Sequence, residues 1–380
     1  KCGAQQGPQP VEPGGGSTIM TWAGICGEDD LQANSDAYFH GISIEEMTRY
    51  VATGGGCATT TALSNAPPDV PLELPEYHLP VRTPFALPAV AIDADGDSLL
   101  YAWEQIDEGP STPVDQPAGT APLFRSQPPA PDTFRVFPRL EALLQNETPF
   151  GETLPFYTRP LTFRLTARDS RGGVAWADYR LQATEAAGPF VVLTQNEAGE
   201  AWLGGSAVEV AWAVANTDRP PVSAATVDIL LSADGGRTFP ILLAAATPND
   251  GQATVLVPDT LDGDAFRIKV KASGNLFFDV NDIDFSIRPG PTAVVPFPAG
   301  PALTLFPNPV RDQLTLRAAS LVPEATINIL TVTGRRLPFR RRARQWREAR
   351  LPVGDLSAGV YLLEVRTAGW TSLQRFVKVD

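Results

Sequence analysis

Three carboxylates at alternate positions, in the run Asp93-Ala94-Asp95-Gly96-Asp97-Ser98, form the most chemically suggestive spacing in this sequence. Alternate acids in a turn can converge on one hard cation, and calcium takes roughly six to eight oxygen ligands. Glu104 stands twelfth from Asp93, as in an EF-hand loop. The glycine is fourth rather than sixth, however, and Leu99 to Trp103 reads as a strand, so an EF-hand is excluded. A solvated Asp/Gly turn without metal would use the same residues. Histidine is scarce: His40 and His78 cannot build a three-histidine metal centre, and a Ser/His/Asp site would have to use one of them. Both read as structural. The cysteines Cys2, Cys26 and Cys57 all fall in the first sixth of the chain. In an exported protein this odd count suggests one disulfide and an orphan whose partner lies outside the sequence; three buried or free thiols are the alternative. Met20, in Gly16-Ser17-Thr18-Ile19-Met20-Thr21-Trp22, reads as a tight turn around a buried methionine.

The elements that must position these residues are mostly strands. The chain has 380 residues, which at about 150 per domain suggests two to four modules. With 37 Pro and 32 Gly, long helices are disfavoured and many short strands are expected, while 43% hydrophobic residues suffice for packed cores. One helix is expected from Ser43 to Val51, opened by Ser43 with Glu46 as a capping box and ended by the glycines at 54–56. Short alternating stretches such as Leu99–Trp103 and Pro160–Thr166 predict a β-sandwich over 67–185. Ala207–Trp212 and Val227–Leu231 predict a second over 186–288. Residues 289–303 read as a Pro-rich linker, and 304–380 as a small third β-domain.

Charge divides along the same lines. Lys+Arg 30 against Asp+Glu 43 gives −13, which disfavours broad adhesion to nucleic acid. From Thr304 onward 13 basic residues face 6 acidic ones, a net of +7, so the preceding body carries −20. Arg335, Arg336, Arg340, Arg341, Arg342 and Arg344 crowd one basic stretch, read either as a docking patch for an anionic partner or as a solvated hairpin. No run of 18 apolar residues exists, so no helical membrane span is expected, and no signal peptide opens at Lys1.

Several segments carry family resemblances. The run GSTIMTWAGICG, followed by NSDAYFH and the helix at Ser43, resembles the end of bacterial reprolysin-like metzincin peptidases. The resemblance implies that Met20 matches the methionine flooring a catalytic zinc, which those enzymes hold with an upstream H-E-x-x-H-x-x-G-x-x-H helix. That motif is absent here, so no catalysis is expected from this chain, zinc would belong to a longer parent, and residues 1–66 would be a peptidase remnant. The Asp93–Ser98 run with Trp103 and Ala167–Gly173 resembles cadherin-like and polycystic-kidney-disease-like modules. By that analogy Asp93, Asp95, Asp97 and Asp169 are candidate calcium ligands. The stretch from Trp202 to Ile287 resembles the Ig-like module that follows in such secreted peptidases.

Leu305-Phe306-Pro307-Asn308-Pro309, Gln313–Leu316, Ile329–Gly334, Leu356–Tyr361 and Arg375–Val379 resemble in order the type A sorting domain of the type IX secretion system. This implies export across the outer membrane of a Bacteroidota-like Gram-negative bacterium, with the translocon and its sortase machinery as partners. Lipopolysaccharide or other copies of the chain are candidate partners for the arginines. Two functional expectations follow: the accessory and sorting region of a secreted metalloprotease-like protein, or a structural or adhesive surface protein built from Ig-like modules.

Overall fold

The computed structural model describes residues 10–54, 56, 59, 61, 64–71, 73–290, 300–331 and 335–380. Cys2, Cys57 and residues 291–299 of the Pro-rich stretch lie outside these described residues. The chain forms two compact units, 1–290 and 291–380.

In the first unit, period-2 alternation sends Leu161, Phe163, Leu165 and Ala167 to one buried face of a strand, each fully covered. The strands here are β1 (Tyr77–Pro80), β2 (Phe85–Pro88), β3 (Leu100–Gln105), β4 (Phe134–Phe137), β5 (Arg159–Arg168) and β6 (Val174–Thr184). They pair as a sheet β1-β6-β5-β3 and a hairpin-like pair β2-β4. The two layers meet through Phe85, Phe124, Phe137 and Phe163, whose rings stack or meet edge-on at 4.8–5.9 Å.

The next strands are β7 (Val191–Val192), β8 (Ala201–Leu203), β9 (Ala207–Ala213), β10 (Thr226–Ser232), β11 (Ile241–Pro248), β12 (Gln252–Leu256), β13 (Gly263–Ala272), β14 (Phe278–Val280) and β15 (Phe285–Arg288). They build a sheet β11-β10-β13-β15-β8, with β14 on β13, and a smaller sheet β12-β9-β7. Val210, Trp212 and Val255 of the smaller sheet share one buried cluster with Ile229, Leu231, Ile268 and Val270 of the larger. That cluster continues without a break into Phe85, Phe163 and Leu181 of the first sandwich.

The helix α1 spans Gly41–Gly54, starting two residues before the expected Ser43. His40 carries its first intrahelical acceptor, from the Ile44 amide at 3.1 Å. The capping box does not form. The Gly41 amide instead donates to the Glu104 carboxylate at 2.7 Å, and the Ile42 amide to His40 Nδ1 at 3.3 Å. A Cβ on Gly41 would meet Arg164 Cδ at 2.8 Å and Thr166 Oγ1 at 2.9 Å, so glycine is what lets the helix start press onto the sheet. A second short helix, α2, spans Leu140–Leu144.

The second unit comprises β16 (Leu303–Phe306), β17 (Gln313–Thr331), β18 (Arg336–Pro352), β19 (Gly359–Arg366) and β20 (Thr371–Lys378). Leu314, Leu316, Ala325, Ile327 and Ile329 all lie on the single long β17 and are buried. The basic stretch, expected as an inserted hairpin, is one arm of a hairpin whose other arm is β17. The reason is burial: Ala343, Trp346, Ala349 and Leu351 recur within the basic run and pack with Leu316, Ile327, Leu363 and Phe376. No helix among the described residues is long and apolar enough to cross a membrane.

Asp279 on β14 carries a pH dependence. Burial pushes its carboxyl up to about 7, against the amide hydrogen bond from Val192 at 2.7 Å. The folded state keeps it neutral while the unfolded chain ionises above about pH 4, so the contribution of Asp279 to stability falls as pH rises from about 4 to 7. Asp279→Asn keeps the acceptor without the charge. Thermal unfolding should find this variant more stable than wild type at pH 8 and equal to it below pH 4; a constant difference at all pH values would contradict the assignment.

Candidate functional site

The acid-rich loop follows the backbone bridge between Asp69 and Ile92, in which each amide donates to the other residue's carbonyl at 2.8 Å. Asp93 Oδ1 then accepts the amides of Asp95 and Asp97, both at 3.0 Å, an Asx-type turn that curls the loop over its first carboxylate. Gly96 closes it at φ +75°. One oxygen from each of Asp93, Asp95 and Asp97 consequently lies within 4.8 Å of the others. Arg171 Nε pairs with Asp97 Oδ1 at 2.9 Å, and the Ala66 amide donates to Asp95 Oδ2 at 2.7 Å. Asp93 Oδ2 and Asp97 Oδ2 are buried and have no hydrogen-bond partner. Buried carboxylate oxygens without donors are costly, and a hard cation is the partner this all-oxygen set fits.

Asp169 is not drawn into this group. It sits in the β5–β6 turn, which the pairing of Leu100 with Arg168 brings to the same end of the sheet. Its Oδ1 accepts the amides of Arg171 and Gly173 at 2.7 and 2.9 Å, and its Oδ2 accepts Asn65 Nδ2 at 2.6 Å. Burial opposes its charge, but these bonds outweigh it and hold the carboxyl below its usual range. Asp169 staples its own turn, and Arg171 of that turn reaches the acid loop.

In the N-terminal segment Glu12 occupies the inside of the turn. Its carboxylate accepts Ser17 N at 2.9 Å, Ser17 Oγ at 3.1 Å and Thr18 Oγ1 at 2.7 Å. With these polar groups turned inward, Met20 is left outside at φ +77° and 77% exposed. The expected buried methionine is thus corrected: a buried carboxylate holds this turn. Trp22 and Ile25 nearby are exposed too, as are Met47, Tyr50 and Val51 on α1. Cys26 is disulfide-bonded.

Glu104, considered above only as a twelfth loop position, turns inward with no exposure. Besides the Gly41 amide it accepts Ser126 Oγ at 2.6 Å, which itself accepts the Tyr38 hydroxyl at 2.9 Å; His40 Nε2 lies 3.9 Å away. Burial pushes the Tyr38 hydroxyl far up, so it stays a donor. Arg164 adds Gly41 O at 3.2 Å, Glu45 at 2.6 Å and Asp178 at 2.7 Å. His78 lies on β1 opposite Gln182, away from both groups.

In the second unit, cross-strand register builds a face that the basic run alone does not reveal. Arg342 aligns with Thr326 and Arg366, Arg340 with Asn328 and Glu364, and Arg336 with Leu330, Leu362 and Arg375. Arg335, Arg336, Arg341, Arg342 and Arg344 are all exposed; the side chain of Arg340 lies outside the described residues. Glu364 is buried among Asn328 at 2.6 Å, Arg366 at 3.0 Å and Arg336 at 3.4 Å, and these partners hold its carboxyl low despite burial. Arg344 pairs with Glu324 at 3.3 Å, and Arg341 donates to the Arg350 carbonyl. Arg335 and Arg342 make no ion pair among the described residues. Arg366 and Arg375 escaped the sequence reading because only strand pairing brings them to this face.

Residues 304–379 match the family described as the secretion system C-terminal sorting domain. No curated protein matches the chain. Among solved structures it is similar to Sidekick-1 immunoglobulin domains 1–5, at 12% identity over 83% of this chain and 59% of that one, TM-score 0.19. It is similar to SGBP-B of the Bacteroides ovatus mixed-linkage glucan utilization locus, in complex with a mixed-linkage heptasaccharide, at 12% identity over 83% of this chain and 71% of that one, TM-score 0.18. A third is dimeric latent PorU from Porphyromonas gingivalis, at 16% identity over 80% of this chain and 32% of that one, TM-score 0.18. TM-scores of this size establish no shared overall arrangement, and none of these likenesses bears on function. The sorting domain marks a protein exported by the type IX secretion system, with that machinery as partner, and so a secreted or cell-surface protein.

If Glu104 joins the N-terminal segment to the sheet, Glu104→Ala leaves the Gly41 amide and Ser126 hydroxyl unpaired and should cost about 3 kcal/mol. Glu104→Gln, which keeps one acceptor, should cost less. Hydrogen exchange should find amides 38–50 deprotected in the alanine variant; unchanged protection there would rule the role out.

Proposed function

We propose that this chain is the non-catalytic accessory and sorting region of a secreted zinc metalloprotease-like protein. The observation that carries the export half of this reading is the folded domain matching residues 304–379. The peptidase half is supported by the sequence resemblance around Met20 and by the exposed Met20, Trp22 and Ile25 on a turn braced rigidly from inside by Glu12. With only His40 and His78 available, and His40 buried against Glu104, zinc would be held by residues of a longer parent. Gelatin zymography of the full natural product, with and without chelator, tests this: chelator-sensitive clearing supports it, and an inactive product sinks the peptidase half alone. Deleting residues 304–380 should leave the protein inside the cell envelope, as fractionation and immunoblotting would show; export of the truncated chain would sink the sorting half.

Calcium is the cofactor we assign to the acid loop. Asp93, Asp95 and Asp97 would hold it, and it would supply the positive charge that the two donor-less buried oxygens lack. Calcium at about 1 mM should raise the melting temperature of the purified chain by a few degrees, the range expected of extracellular sites. Asp93→Asn combined with Asp97→Asn should abolish the rise, while Asp169→Asn, outside the group, should lower stability without abolishing it. A melting curve indifferent to calcium would refute the assignment.

The arginine face of the sorting domain is suited to an anionic partner, either lipopolysaccharide or the acidic body of a second copy. Sedimentation at low and high salt separates these: salt-sensitive self-association weakened by Arg342→Glu favours a second copy. A monomer whose binding to lipopolysaccharide vesicles falls with salt favours the other.

A further inference from the structure

A cleft of about 870 Å³ opens between the two sandwiches of the first unit. One wall is built by β3, β4 and α2, with Tyr101 and Phe134 supplying aromatic surface above the buried Trp103; the other is the β10–β11 turn with the adjoining part of β13. We propose that this cleft binds a neutral oligosaccharide.

The walls are fixed. Arg267, reaching across from β13, donates to Leu144 O of α2 at 3.3 Å while held by Asp284 at 2.5 Å and Asn281 O at 2.7 Å. Asn146 Nδ2 donates to Asp282 O at 2.9 Å. Arg135 is spent on the carbonyls of Trp103 and Arg125 and on Glu152, and Asp234 on Ser232 and Thr238. A cleft braced this way costs little to order when a ligand enters.

What remains uncommitted selects the ligand. Phe134 is 51% exposed and lines the cleft, so about half of its apolar surface is open there. Around it Asp132, Glu141, Gln145 and the guanidinium of Arg139 have no side-chain hydrogen bond among the described residues, and Arg237 makes only one, to Asp234 O at 3.1 Å. In the floor, Trp103 is 2% exposed, yet its indole N–H has no acceptor, and Arg135 Nε is likewise unpartnered. Sugars present C–H faces that lie on aromatic rings, and adjacent hydroxyls that pair with the planar two-point groups of amide, carboxylate and guanidinium.

Two other ligand classes fit less well. The cleft lining carries four carboxylates and four guanidiniums, so within a chain of net charge −13 it offers no field of one sign to gather a polyion. An extended peptide would add to a free strand edge. The edge of β3 is closed there, because the Tyr101 amide and carbonyl are both bonded to Ala130, at 2.7 and 2.9 Å, and Arg135 takes the Trp103 carbonyl.

The test is affinity gel electrophoresis of the purified chain through gels containing β-glucan, xylan, galactomannan or pullulan, with dextran sulfate and gelatin as contrasts. At least one neutral polysaccharide should retard the protein, unaffected by about 0.5 M salt. Phe134→Ala should weaken that binding about tenfold, near the stacking and burial lost with one ring. Arg139→Ala with Glu141→Ala, at exposed positions outside the core, should weaken it comparably without changing the melting temperature. Retardation by none of the neutral polymers, by dextran sulfate or gelatin only, or equally in all variants would overturn the proposal.

Discussion

The arrangement of the first unit depends on one buried carboxylate. Glu104 enters the interior of a β-sandwich, where an ionised carboxylate is tolerated only with donors aimed at it. Those donors come from elsewhere in the chain: the Gly41 amide that opens α1, and Ser126, which in turn receives Tyr38. The requirement to satisfy Glu104 therefore decides where the helix begins and where the N-terminal segment lies. Arg164 and Arg168 complete the join by donating to the carbonyls of Gly41 and Phe39. The helix contributes little apolar burial of its own, since its last two turns face solvent. Its attachment is consequently polar and directional, which fixes geometry more sharply than apolar contact would.

Apolar packing plays the complementary part. The four-phenylalanine group joins the layers of the first sandwich, and Phe190 with Phe277, 5.2 Å apart, continues the cluster toward the second. One uninterrupted core across both sandwiches gives them the rigidity that a cleft between them needs. Polar staples act at the edges, where Arg267, Asn281 and Asn249 each satisfy several buried backbone or side-chain groups.

Charge is organised by the same sheets. The acidic excess of the first 303 residues is dispersed except where a turn gathers it, as at Asp93, Asp95 and Asp97. The basic excess of the sorting domain is concentrated, because β18 pairs along nearly its whole length with β17 and sets its arginines beside those of β19 and β20. A single buried acid, Glu364, sits inside that face and offsets part of its self-repulsion.

The sequence by itself determined what depends on local spacing: the mostly β character, the curl of the Asp93–Asp97 turn, the position of a helix near residue 43, and the sorting-domain motifs at the C-terminus. Period-2 alternation, Gly/Pro turns and Asx geometry act over a few residues and leave a direct trace. The tertiary structure alone decided that Glu104 faces inward to cap a helix some sixty residues earlier and that Met20 faces outward. It also decided that Asp169 secures its own turn rather than joining the acid group, that Arg366 and Arg375 extend the basic face, and that a charge-balanced aromatic cleft lies between the sandwiches. Each of these joins residues distant in the chain, and the cost of burying an unsatisfied polar group, which selects the pairings, exists only once the chain has folded.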